Sequence, residues 1–217
     1  MKERPVLFNA PMVRALLAGT KTQTRRVVKI PHLEFSAGHL ADLNDPRNWG
    51  YECDDGWMKL KASADPRDDE MQIQCPYGQH GDRLWVREMW MKIPRLTVDG
   101  MPMDDLAKYR STDEVECAGK YSHRWRPSIH MPRWASRITL EIIGVRVERL
   151  NDISFSDAKA EGVESVPLPV GVGSADSVTR YRWLWESING PGSWDVNPWA
   201  WVVEFKRWDP ATLEVGP

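Results

Sequence analysis

Apolar positions recur along the chain at two spacings, and each spacing predicts an element. Pro5 to Phe8 is a short apolar run that reads as a first strand. Met12, Ala15 and Leu16 then recur at helical spacing, with Asn9 where an N-cap is wanted and Pro11 tolerated in the first turn. Gly19 supplies the left-handed residue that ends such a helix. Arg25 to Ile30 resumes an extended pattern, which Pro31 closes. From Arg83 to Trp90 the chain alternates: Leu84, Val86 and Glu88 share one face, and Trp85, Arg87 and Met89 the other. Ser136 to Leu150 is the longest alternating run, and Trp199 to Trp208 sets Trp201, Val203 and Phe205 on one face. Two further helices are predicted. One starts at Ser154, runs over Asp157, Ala158 and Ala160, and stops at Gly162. The other spans Asp176 to Ile188, with Val178, Tyr181, Leu184, Trp185 and Ile188 as an apolar stripe.

Turn signals separate these elements. The stretch 31–70 reads as an insertion or elaborated loop in which Gly56 to Leu60 has strand character. Met71 to Cys75 is a further strand, followed by a turn at Pro76-Tyr77-Gly78. Ile93 to Glu114 reads as irregular, so a second insertion is placed at about 91–114, and Glu116 to Ser122 as a strand. Trp125 to Trp134 is too rich in proline for a helix or a central strand and reads as an ordered loop, and Pro167 to Gly173 as a flexible one. Together these give an α+β fold, one domain over 1–217, built round a small mixed barrel with flanking helices and loop insertions.

Composition narrows the class. A chain of 217 residues with 41% hydrophobic content can bury a real core, although 16 prolines and 15 glycines imply many turns. It has no apolar run long enough for a bilayer, and its opening residues do not read as a signal peptide, so a soluble cytoplasmic protein without a membrane partner is expected. Cys53, Cys75 and Cys117 are odd in number and widely spaced, which suggests neither a disulfide framework nor a zinc knuckle. The net charge of −2 does not advertise nucleic acid, but its distribution is uneven. Acids are absent between Arg4 and Leu33 and again between Ala118 and Leu140, while 42–70 is acidic. Two basic segments that met in space would make an anion-attracting face.

No glycine-rich phosphate loop, paired-histidine metal set or serine-hydrolase elbow is present, so neither metal nor cofactor is expected. The groups left for chemistry are Lys21, Thr24 and Glu88. A threonine hydroxyl is a poor nucleophile until a base takes its proton, and a lysine in a partly apolar pocket can serve as that base. A carboxylate can orient the lysine and relay protons. Glu88 continues the buried Leu84/Val86 face and therefore needs a partner, for which Lys21 is the candidate.

The run Gly-x-Lys-x-x-x-x-Arg from Gly19 through Lys21 to Arg26 resembles the signature of the ASCH family, small domains with a PUA-like β-barrel. Blocks at Val6 to Val28, Cys75 to Trp90, Trp125 to Ile142 and Ser187 to Phe205 resemble the longer, Trp-rich members of phages and prophages. The resemblance implies an amidohydrolase that removes the acyl group from N4-acetylcytidine or related N4-acylcytosines. Lys21 and Thr24 match that family's lysine and threonine, and Glu88, within Val86-Arg87-Glu88, its carboxylate. Arg26, Trp90, Arg126, His130 and Arg133 are the candidates for binding the modified nucleoside. Two other classes stay open. One is an RNA-binding or RNA-cleaving module, in which cations and tryptophans grip bases and Lys21 and Arg26 stabilise a phosphorane. The other is a structural phage protein whose basic loop contacts a partner, although no obligate protein partner is implied.

Overall fold

The computed structural model describes residues 1–29, 53–54, 57–61, 70–93, 97–98, 101–102, 106–112, 124–166 and 174–209. In chain order the first elements are β1 (Glu3–Leu7), α1 (Ala10–Leu17), β2 (Gln23–Val27), β3 (Cys53–Asp54), β4 (Trp57–Lys61), β5 (Glu70–Gln74) and β6 (Arg83–Arg87). They are followed by β7 (Trp90–Ile93), β8 (Thr97–Val98), β9 (Met101–Pro102), β10 (Leu106–Tyr109), β11 (Thr139–Arg149), α2 (Phe155–Ala160), α3 (Ser177–Asn189) and β12 (Trp199–Arg207). The fold is α+β, and its centre is a mixed five-stranded sheet in the order β1-β6-β11-β12-β2. β1 runs parallel to β6, and the other neighbours pair antiparallel.

The expected barrel is not closed through a backbone ladder among the described residues, since β1 and β2 stand at opposite ends of this order. A side chain joins those ends instead. Arg26 of β2 donates to the Leu7 carbonyl of β1 at 2.6 Å and lies over the Phe8 ring at 5.4 Å. The sheet is therefore curled enough to bring its two edges within reach of one guanidinium.

The main core gathers one face of the sheet and the three helices. Val6, Leu84, Val86, Leu140, Ile142, Val203 and Phe205 meet Met12, Val13 and Leu16 of α1, Ala158 of α2, and Tyr181, Leu184 and Trp185 of α3. The expected face of β12 is buried, and so are Ala200 and Val202 on the other side, because that strand lies between β11 and β2 and both its faces are covered. Caps fall where sequence chemistry wants them. Asn9 accepts from the Met12 amide at 3.1 Å, Ser154 from the Asp157 amide at 3.1 Å, and Asp176 from the Thr179 amide at 2.9 Å.

Three expectations need correcting. The extended run after the first helix is Gln23–Val27 rather than Arg25 to Ile30, because Gln23 and Thr24 already pair with Glu204 and Val203. The predicted strand from Arg83 to Trp90 is two strands, β6 and β7, interrupted at Glu88 and Met89. Ile93 to Glu114 is not irregular throughout, since β7 pairs with β10 and β8 with β9. β3 and β4, in the first predicted insertion, form a separate antiparallel sheet with β5, which follows it. The strand expected at Glu116 to Ser122 and the loop at Pro167 to Gly173 lie outside the described residues. No helix among the described residues is long and apolar enough to cross a membrane.

The parallel β1–β6 edge has its own anchor. Asp82 accepts from the Lys2 amide at 2.7 Å and from Arg4 Nη1 at 2.8 Å. Burial tends to raise the Asp82 pKa, but the Arg4 guanidinium and the Lys2 and Gln79 amides outweigh it, so the carboxyl sits below its ordinary 3.8. A depressed carboxyl pKa adds stability that is complete above the unfolded value and is lost as pH falls through the folded one. Asp82→Asn is expected to lower stability by about 1–3 kcal/mol at neutral pH. In urea titrations the gap between the two proteins should narrow once the pH drops below about 4. A gap independent of pH would mean that the charge of Asp82 plays no part.

Candidate active site

The stretch from Gly19 to Arg26 is held by its backbone before any side chain acts. The Ala15 carbonyl accepts from the amides of Thr20 at 2.9 Å and Lys21 at 3.2 Å, so the chain reverses tightly after α1. Lys21 then makes a one-residue antiparallel bridge with Glu161, just beyond α2, and the Thr22 amide donates to the Ala160 carbonyl at 2.8 Å. Gly162 makes this approach possible. Its φ is +76°, and a Cβ there would lie 2.8 Å from the Ala15 Cβ and 2.9 Å from the Lys21 Cβ.

Lys21 is buried, and its ammonium has three acceptors: the Gln23 carbonyl at 2.8 Å, the Glu161 carbonyl at 2.9 Å and Glu161 Oε2 at 2.8 Å. Its Nζ also lies 5.4 Å from the centre of the Phe8 ring. Burial pushes the Lys21 pKa below its usual 10.5, while the Glu161 carboxylate pulls the other way. The remaining Glu161 oxygen is 3.7 Å from Arg25 Nη1, a charge contact rather than a hydrogen bond. Arg25, whose side chain is fully buried, reaches Glu148 at 2.8 Å and Asp157 at 3.3 Å. Arg146 adds contacts to Glu148, Asp157 and Glu204. The Asp157 carboxyl, which burial alone would raise, is held low by the Ser154 hydroxyl and by Arg25 and Arg146.

Lys21, Thr24, Arg25, Arg26 and Glu161 line a cleft of about 330 Å³. Its other walls are mostly apolar, with Phe8 and Met12 from the α1 end and Tyr181, Leu184, Trp185 and Ile188 from α3, and with Asn9, Ser128 and Asn189 as their polar members. The size and the mixture of a few polar groups with apolar walls suit a small organic ligand. Thr24 is buried on β2 opposite Val203, and among the described residues its hydroxyl has no hydrogen-bond partner.

The predicted site residues divide. Lys21, Thr24 and Arg26 come together in the cleft. Glu88 is buried, but it does not line the cleft and its partner is not Lys21. It accepts from Arg137 at 2.9 and 3.1 Å and from the Ser111 hydroxyl. The physical reason is that the chain leaves β6 at Glu88, turning the carboxylate towards a guanidinium packed 3.9 Å from the Tyr109 ring. Trp90 is buried with Met131 and Ala135 in a satellite core, and Arg126 packs over it at 5.3 Å. Arg133 pairs with Glu3 at 2.9 Å, and His130 is exposed. Of the loop from Trp125 to Trp134, Ser128 reaches the cleft.

Sequence reasoning missed Glu161 and read Tyr181 as an apolar stripe residue. One signal for Glu161 was available: a segment with Lys21 and Arg25 and no acid of its own needs carboxylates from elsewhere, and Asp157 and Glu161 are four apart across α2. No family model, curated protein or solved structure matches the chain.

The Gly162 contact can be tested against a second glycine. Gly19 has φ +73° with open space where a methyl group would sit, so Gly19→Ala should cost about 1–2 kcal/mol from the left-handed backbone alone. Gly162→Ala adds overpacking of about 1–3 kcal/mol against Ala15 and Lys21. Equal losses of stability in denaturant would contradict the close approach.

Proposed function

We propose that the protein is an amidohydrolase that cleaves the acyl group from N4-acetylcytidine or a related N4-acylcytosine, with Thr24 as nucleophile. The observation that carries this reading is the pairing, in one cleft, of a buried Lys21–Glu161 couple with a Thr24 hydroxyl free of partners among the described residues. The ASCH-like run from Gly19 to Arg26 supports it. In the same reading, the curled sheet whose edges are joined by Arg26 is an opened form of the small PUA-like barrel, and the protein works on nucleosides in the cytoplasm.

The resting pair is an ammonium and a carboxylate 2.8 Å apart. Burial disfavours the Lys21 ammonium, and a proton passing from Nζ to Glu161 Oε2 across that contact leaves a neutral amine. That amine takes the Thr24 hydroxyl proton as Oγ1 bonds to the acyl carbon and the carbonyl electrons move to oxygen. Collapse breaks the C–N4 bond, and Glu161 gives its proton to the departing cytosine nitrogen. The ammonium–carboxylate pair is restored, with the acyl group as an ester on Thr24. Water enters by the same route and releases the acid. Glu161 thereby fills the role that sequence reasoning gave to Glu88.

The test is ultraviolet absorbance of N4-acetylcytidine during turnover. Lys21→Arg, Thr24→Val and Glu161→Gln should each lower kcat by about 10²–10⁴, whereas Thr24→Ser should keep part of it. Glu88→Gln should leave kcat within a few-fold and lower stability instead. Full activity in Thr24→Val would remove the nucleophile from the scheme. A second reading, RNA binding, is favoured by the cation–aromatic pairs outside the cleft, Arg133 with Trp85 and Lys92 with the half-exposed Trp134. An unmodified protein that hydrolyses no N4-acylcytidine would turn the assignment to that reading.

A further inference from the structure

Tyr181 sits on α3 with Leu184, Trp185 and Ile188, the helical spacing that points all four at the cleft. The residue is 2% exposed, and its ring is held between Trp185, 6.2 Å away, and Trp194, 6.1 Å away. Among the described residues its hydroxyl has no hydrogen-bond partner. A phenol this deeply buried ordinarily finds one. Thr24, on the facing strand, lines the same cleft and is likewise without a partner among them. Two hydroxyl-bearing residues that line one cleft, neither engaged by a described residue, mark where a ligand's polar atoms would fall.

We infer that the Tyr181 hydroxyl donates to the acyl carbonyl oxygen of the substrate and holds the oxyanion that forms when Thr24 adds. The inference rests on the amidohydrolase reading and adds a group to it. Bond changes at the acyl carbon are those given above. The Tyr181 O–H bond is not broken: it donates to the carbonyl oxygen, more strongly as that oxygen gains charge, and releases it as the carbonyl reforms. Desolvation, and after it the Glu161 carboxylate, push the Tyr181 pKa well above its usual 10, so the phenol remains a donor throughout the working range of the enzyme. Tyr181 lines the same cleft as Lys21, Arg25, Arg26 and Glu161. Lys21 is poorly suited to this task, because all three of its protons are already engaged.

Tyr181→Phe keeps the ring between its two tryptophans and removes one oxygen. With N4-acetylcytidine, kcat is expected to fall about 10²–10³-fold, the usual effect of losing one oxyanion donor, and KM to rise only by the smaller factor set by ground-state binding, about five- to tenfold. Calorimetric binding to Thr24→Val and to Thr24→Val/Tyr181→Phe separates this inference from the reading beneath it. Loss of the hydroxyl should weaken N4-acetylcytidine by about five- to tenfold and leave cytidine, which lacks the acyl carbonyl, unaffected. Unchanged kcat in Tyr181→Phe, or equal binding of N4-acetylcytidine by the two Thr24→Val proteins, would overturn the role of Tyr181. If the unmodified protein were inactive but the selective loss of N4-acetylcytidine binding persisted, the amidohydrolase reading would fall and the carbonyl contact would stand.

Discussion

The structure depends on one buried ion pair, Lys21 with Glu161. Neither charge could be taken out of water alone, and the second Glu161 oxygen is left with the charge contact to Arg25 in place of a hydrogen bond. The ammonium directs its three protons to Glu161 twice and to the Gln23 carbonyl once. The backbone bridge between the same two residues fixes where the pair sits, and Gly162 lets the chains approach that closely. The end of α1, the start of β2 and the end of α2 therefore meet at a single point.

Around this point the fold concentrates charge that it could otherwise not bury. Arg25 has no exposed side-chain surface and three carboxylates within 3.7 Å, those of Glu148, Asp157 and Glu161. On the opposite side Phe8 offers its ring to both Lys21 and Arg26. The cleft inherits the consequences. It has an ionic floor with little room to rearrange, apolar walls from α1 and α3, and hydroxyls on Thr24 and Tyr181 that no described residue engages.

Local signals carried much of this in the sequence. Asn9, Pro11 and Gly19 bound the first helix by capping chemistry, Ser154 and Gly162 bound the second, and the alternation of Ser136 to Leu150 marks the long central strand. Lys21 and Thr24 were legible because they lie three apart in the short run that leads from α1 into β2. Glu88 misled for a physical reason. Period-two alternation shows neither where a strand ends nor which cation will meet a buried carboxylate, and Arg137 rather than Lys21 meets Glu88. Glu161 was hidden because its partner lies 140 residues away, and no local pattern encodes a pairing of that range. The curl of the sheet was equally out of reach, since the contact between Arg26 and Leu7 that joins its edges is also a tertiary one.

A double-mutant cycle on Lys21→Met and Glu161→Gln, read by equilibrium unfolding, tests the central pair directly. Each single change strands a buried group without its partner and should cost about 3–5 kcal/mol. The double variant removes both charges together, and it should be less destabilised than the sum of the singles by at least about 1–2 kcal/mol. Strict additivity would contradict the account, because it would mean that Lys21 and Glu161 contribute to the fold independently of each other.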